Sequence, residues 1–224
     1  MGTSTTTFPG APRVLRAGIV LADPGSLVVQ RVITMQYNPD TLSRTLQART
    51  VASEGGDRLE ALRLTSTPIE TIKFDAEIDA TDQLENADQN PLAVQFGIQP
   101  QLAALEMLVY PPSAQIVNED TLAQAGTIEV APVEAPLTLF VWSAIRIVPV
   151  RITEFSITEE AFDVNLNPIR AKVSLGMRVL NVNDFQFDEK GQSVFMAYHQ
   201  QKERLANLAG VGSLGSLGIN SIGG

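Results

Sequence analysis

The sequence predicts a mainly β fold (β+α) with one flanking helix and one C-terminal helix, and three observations carry that expectation. First, Ile169, Ala171, Val173, Leu175, Met177 and Val179 alternate with Arg170, Lys172, Ser174, Gly176 and Arg178. A two-residue period of this kind marks a half-buried strand. Second, Ile72, Phe74, Ala76, Ile78 and Ala80 alternate with Thr71, Lys73, Asp75, Glu77 and Asp79, giving a strand with an acidic outer face. Third, Val148, Val150 and Ile152 hold one phase while Phe155 and Ile157 hold the other. A bulge or sharp bend near Thr153 and Glu154 would reconcile the two phases.

The elements follow in order. Residues 1–12 are rich in Thr, Gly and Pro and read as a flexible arm. Residues 13–21 and 27–36 are β-branched runs joined by Ala-Asp-Pro-Gly-Ser, a hairpin that Tyr37-Asn38-Pro39 ends. A short strand is expected over 42–50, then a long surface loop over 51–69 around twin glycines, then the acidic strand. Residues 82–91 are polar. From Gln99 to Tyr110, Leu102, Leu105 and Val109 share one helical face, stopped by Pro111-Pro112. Residues 113–136 are acidic and rich in Ala, with Pro at the far end, and read as a long loop.

Three strands then fill Leu137 to Leu180. Ser156 and Glu159, at capping-box spacing, predict a single helical turn through Ala161, and Asn167-Pro168 predicts a turn before the last strand. Val194, Tyr198, Leu205 and Leu208 predict a C-terminal helix. Residues 210–224, with Gly on a near three-residue beat, read as a flexible tail, so 13–209 form the folded unit with no internal boundary.

Composition narrows the function. The 224 residues are 44% hydrophobic, contain no cysteine and carry a formal charge of −9. Thiolate metal sites and disulfides are excluded, and the acidic balance argues against nucleic acid as a partner. No apolar run approaches the ~20 residues of a membrane helix and no leader pattern opens the sequence, so a soluble, uncleaved chain is expected.

Chemistry is sparse. His199, the single histidine, has no nucleophile or carboxylate motif beside it. Asp75, Glu77 and Asp79 lack the loop glycine and extra oxygens of a calcium site. Glu159, Glu160 and Asp163 form one acidic turn without a distant second carboxylate. Gly212, Gly215 and Gly218 follow no strand and precede no Lys-Ser or Lys-Thr pair, so they are not a phosphate loop. Trp142 alternates with Phe140 in an apolar strand and reads as core. No enzyme activity, cofactor or metal is expected.

Several fragments together resemble the tube-type proteins in the baseplates of contractile injection systems, the phage-tail-like particles related to the antifeeding prophage and the Photorhabdus virulence cassettes. They are Met35-Gln36-Tyr37-Asn38-Pro39 with Leu42, Phe140-Val141-Trp142, Pro149-Val150-Arg151-Ile152, and Phe162-Asp163 with Leu166, Pro168, Arg170 and Ala171. Tyr198, Lys202 and Leu205 fall where relatives carry a helix leaving the barrel. Ser143 stands where a glycine is expected, and a Gly-Ser-Leu segment stands where longer relatives continue into a LysM module.

The resemblance implies a split β-barrel of the contractile-tail tube-protein type, assembled as a sixfold ring of its own copies. It implies a structural baseplate component, a tube adaptor joining the inner tube protein to the spike or hub and to wedge proteins, with no nucleic-acid partner and no membrane insertion. Assembly would take place in the cytoplasm, in a particle that stays there or is released. The alternatives are the inner tube subunit itself and a carbohydrate- or cell-wall-binding β-domain. Lys73, Asp75, Glu77, Asp79, Arg170, Lys172 and Arg178 are the candidate subunit-interface or channel-lining residues, acidic on one strand and basic on the other.

Overall fold

Seven antiparallel strands make one sheet in the order β2-β1-β5-β6-β7-β4-β3. They are β1 (Gly18–Ala22), β2 (Val29–Thr34), β3 (Ser43–Gln47), β4 (Ile69–Asp79), β5 (Leu137–Ser143), β6 (Arg146–Phe162) and β7 (Pro168–Val179). The computed structural model describes residues 15–49, 66–124, 135–186, 189–210 and 212–222. The expected arm 1–12 lies outside these residues, as do 51–65 of the expected loop and 125–134.

The predicted alternation decides the faces. Ile72, Phe74, Ala76 and Ile78 of β4 and Ala171, Val173, Leu175 and Met177 of β7 are buried, and their intervening neighbours point outward. The ladder from β6 to β7 slips between Ile152 and Glu154, so Thr153 is the extra residue that switches the apolar phase. That bulge was legible from the pattern alone.

The sheet is curled. Phe74 and Phe140 stack with ring centroids 5.4 Å apart, although β7 and β6 separate their strands. Three strand steps in a flat sheet span roughly 14 Å, so the inner face must wrap around its core. No ladder closes β2 onto β3; the barrel is split, and side chains stitch the gap. Gln36, just after β2, donates from Nε2 to the Asp79 carbonyl at 2.6 Å and accepts from the Asp79 N–H at 3.0 Å. Asn38 accepts from the Ala17 N–H at 2.9 Å and donates to the Leu15 carbonyl at 2.8 Å. Met35 between these elements is buried in the core.

Helices cover one end. α1 (Thr81–Glu85), a single 3₁₀ turn at Ala87–Gln89 and α2 (Pro91–Phe96) occupy the stretch read as simply polar. Next comes α3 (Gln99–Glu106), which buries Leu102 and Leu105 against the sheet. Gly97, at φ +58°, lets the link between α2 and α3 lie on β7: a Cβ there would sit 2.1 Å from the Pro168 carbonyl oxygen. That oxygen accepts the Ile98 N–H at 2.8 Å.

Four expectations need correction. Val109 is not part of the buried helical face, because α3 stops at Glu106 and Val109 is exposed. Residues 113–124 are α4 (Ser113–Gln124), not loop. It buries nothing, so no apolar period announces it, and i to i+4 bonds such as Gln115 to Glu119 at 2.9 Å support it instead. The helical turn from Ser156 to Ala161 does not form, because β6 continues through Phe162 on β7, with further register shifts around Ala161. Ladder hydrogen bonds outcompete a one-turn cap. Finally, α5 (Gly191–Leu208) buries Gly191, Phe195 and Tyr198, while Leu205 and Leu208 are exposed. Beyond α5, a 3₁₀ turn spans Leu214–Leu217, its start capped by Ser213, which accepts the Ser216 N–H.

Candidate interface surfaces

The seven charged candidates lie side by side on the outer face of one sheet. β4 and β7 are neighbours, with Asp79 opposite Arg170, Glu77 opposite Lys172 and Asp75 opposite Ser174. Arg170 Nε donates to Asp79 Oδ2 at 2.7 Å, and Lys172 Nζ lies 3.2 Å from Asp75 Oδ2. The acidic and basic strand faces therefore meet within the chain. Lys73 reaches across β7 to Glu154 of β6, at 2.6 Å, because Gly176 between them has no side chain; a Cβ there would stand 2.9 Å from Glu154 Cβ. Arg178 pairs with Asp184 beyond the sheet rather than with β4.

These contacts set the ionisation of the carboxylates. Hydrogen bonds from the Ser174 hydroxyl and Lys172 hold the Asp75 carboxyl below its usual range. At Asp79 partial burial pushes upward, but bonds from the Thr81 hydroxyl, the Thr81 N–H and Arg170 more than offset it.

A second charged group is buried, and sequence reading missed it. Glu70 is 3% exposed, at the start of β4. Its Oε1 accepts from Arg44 Nε of β3 and from the Tyr198 hydroxyl of α5, both at 2.8 Å, and its Oε2 accepts from Lys202 Nζ at 2.7 Å. Lys202 also lies 4.1 Å from the centre of the Tyr198 ring. Burial alone would raise the Glu70 pKa; the Lys202 and Arg44 bonds lower it below the ordinary glutamate value. Burial and the Glu70 charge push the Tyr198 hydroxyl strongly upward. The available signal was parity, since Glu70 shares the phase of Ile72 and Phe74. This cluster fastens α5 across β3 and β4.

Three exposed features remain. β5 pairs with β6 only up to Val150, so the far half of β6, from Ile152 to Phe162, has β7 on one side and no strand on the other among the described residues. Beside it an open groove of about 410 Å³ is lined by Glu106, Val109, Tyr110, Ile152, Phe155 and Ile157. At one end of the sheet, the outer edge of β2 pairs with no strand among the described residues, and Val29 and Val32 are exposed at 57% and 58%. The tip of the β6–β7 hairpin carries Val164 and Leu166, 98% and 79% exposed. Leu166 adopts φ +65°, and Asp163 holds the tip by accepting the Asn165 and Asn167 N–H groups at 2.8 Å each.

The other sequence candidates assemble no chemical site. His199 stacks on Phe195 and lies 3.5 Å from Glu203. Trp142 packs partly buried beside Phe140, ring centroids 6.0 Å apart. Among the described residues, no three His, Cys, Asp or Glu are grouped to hold a metal, and no helix is long and apolar enough to cross a membrane.

No protein-family profile matches the sequence, and no curated protein does. Among solved structures, one similar chain belongs to the tail of an empty GTA particle, determined by helical refinement with C6 symmetry. It is 16% identical over 73% of this chain and 90% of that chain, with a TM-score of 0.28. A superposition that loose transfers neither fold nor role.

Proposed function

We propose that this chain is a non-enzymatic structural subunit of a phage-tail-like contractile injection particle. Its place would be the baseplate, as a ring of copies joining the inner tube to the spike or hub and to wedge proteins. The observation that carries the reading is the job done by the residues behind the resemblance. Met35 fills the core, Gln36 stitches the split of a curled sheet, Asn38 ties the end of β2 to the segment entering β1, and Phe140 anchors the inner face. Pro168 seats the helical cover. The motif residues thus build a scaffold, and the surfaces left over are strand edges and a rigid apolar tip, which suit assembly contacts.

The tube subunit itself is the alternative within the same class, and position in the particle separates the two. The carbohydrate-binding alternative rested on Trp142, which packs against the core; it would have to act instead through Tyr110 and Phe155 of the open groove. Assembly in the cytoplasm and self-association as a closed ring belong to the same proposal. Deleting the gene in a particle-producing strain tests it. The expected result is loss of intact particles, restored by the wild-type chain; full-length, functional particles without the chain would overturn the reading.

A further inference from the structure

Two strands of this sheet are unfinished, and they are complementary. β2 is exposed at five of its six positions, Ile33 being half-buried, and among the described residues its outer edge bonds to no strand. Val29 and Val32 stand opposite Ala22 and Val20 of β1 and so share one face, while the sole charge between Val28 and Tyr37, Arg31 opposite Leu21, lies on the other. Natural edges are usually blunted by charge, proline or a cover. This one is not. The far half of β6 offers the same unpaired backbone with the opposite sign, since Glu159 and Glu160 stand on it. Among the described residues, neither these glutamates nor Arg16 and Arg31 lie within 4.0 Å of an opposite charge.

We infer that copies of this chain join head to tail by strand addition, the β2 edge of one copy pairing with β6 between residues 152 and 162 of the next. The valine face of β2 would enter the groove formed by Val109, Tyr110, Phe155 and Ile157, and Arg31, on the other face, would meet Glu160. Backbone hydrogen bonds supply the join, side chains the register and charge the order. Such a contact uses different surfaces on the two copies, so it closes a ring or extends a filament. The outer ladder of β4 and β7 is satisfied within each copy and is not needed. This inference takes its biological setting from the proposed ring, but the interface stands on the two edges.

The chain lacks cysteine, which makes cross-linking unambiguous. Single-cysteine variants at Gln30 or Arg31 would be mixed with variants at Ser156, Thr158 or Glu160, both as concentrated purified full-length chain and within particles. Oxidation should give covalent heterodimers from β2–β6 mixtures, with Glu77→Cys and Lys172→Cys mixtures as the control that stays uncoupled. Separately, Glu160→Lys should lower assembly at least about tenfold, as should Arg31→Glu, and combining them should restore it. All positions are exposed, so an unchanged melting temperature identifies a folded variant. Unaltered assembly of both reversals, or coupling through Glu77 and Lys172 alone, overturns the interface. Particles that contain the chain without β2–β6 coupling overturn the interface and leave the proposed role standing. Edge-coupled dimers of a chain absent from particles support the interface and overturn the role.

Discussion

The two ends of β4 use charge in opposite ways. At its start Glu70 points inward, nearly sealed from water, with three donors from β3 and α5 arranged around it. Further along, Lys73, Asp75 and Asp79 point outward and pair across β7 and β6 in solvent. Solvent screening leaves exposed pairs with little net effect on stability, whereas a buried charge that loses its partners is strongly destabilising. The difference teaches that one residue of parity decides whether a carboxylate on this strand holds the fold together or decorates it.

The largest effect expected is outside both systems and calibrates them. Val173→Asp places a charge at a fully buried position of β7, which costs several kcal/mol, about the whole stability of many domains. Circular dichroism should show an unfolded or aggregated chain. Next, Arg44→Met combined with Lys202→Met strips Glu70 of both cations, and urea unfolding should report a loss of about 3–5 kcal/mol. A loss below about 1 kcal/mol would mean that the Glu70 cluster is no more important than the outer ladder.

Acid sharpens the same contrast. The Glu70 carboxyl is lowered from its ordinary 4.5, so its stabilisation is present above that value and is lost as pH falls through the folded-state pKa. Glu70→Gln should therefore flatten the acid limb of the stability profile more than Asp79→Asn does. At the alkaline end the Tyr198 hydroxyl, raised from 10.0, makes stability fall as pH rises above that ordinary value, and Tyr198→Phe should remove this part.

Smaller effects belong to the outer face. Gly176→Val crowds Glu154 and blocks the reach of Lys73, for a loss of about 1–3 kcal/mol. Lys73→Ala, at a position about half exposed, should change stability by at most about 1 kcal/mol. A reversed order of these two would show that the ion pair, and not the space over Gly176, matters at that rung.

Much of this fold was legible because its strands obey a strict period. β4, β7 and the bulge at Thr153 follow directly from alternation, as does the hairpin of β1 and β2 from its Asp-Pro-Gly turn. α4 was hidden because a helix that buries nothing has no apolar stripe, and the end of β6 was hidden because cap spacing at Ser156 and Glu159 looks the same in a strand. The candidate charges were found but their partners were not. Sequence puts acidic and basic faces on two strands nearly a hundred residues apart, and only topology makes those strands neighbours. The free edges of β2 and β6 were invisible for the same reason, since an edge is defined by what does not pair with it.

The central claim, that this chain is a ring subunit of a phage-tail-like particle, is tested most directly by electron microscopy of particles carrying a tagged copy. The expected map shows a closed ring of this curled sheet around the channel at the baseplate end of the tube, with β2 of each copy beside β6 of the next. A map with no density for the chain, or with a lone copy outside the tube axis, would contradict the account.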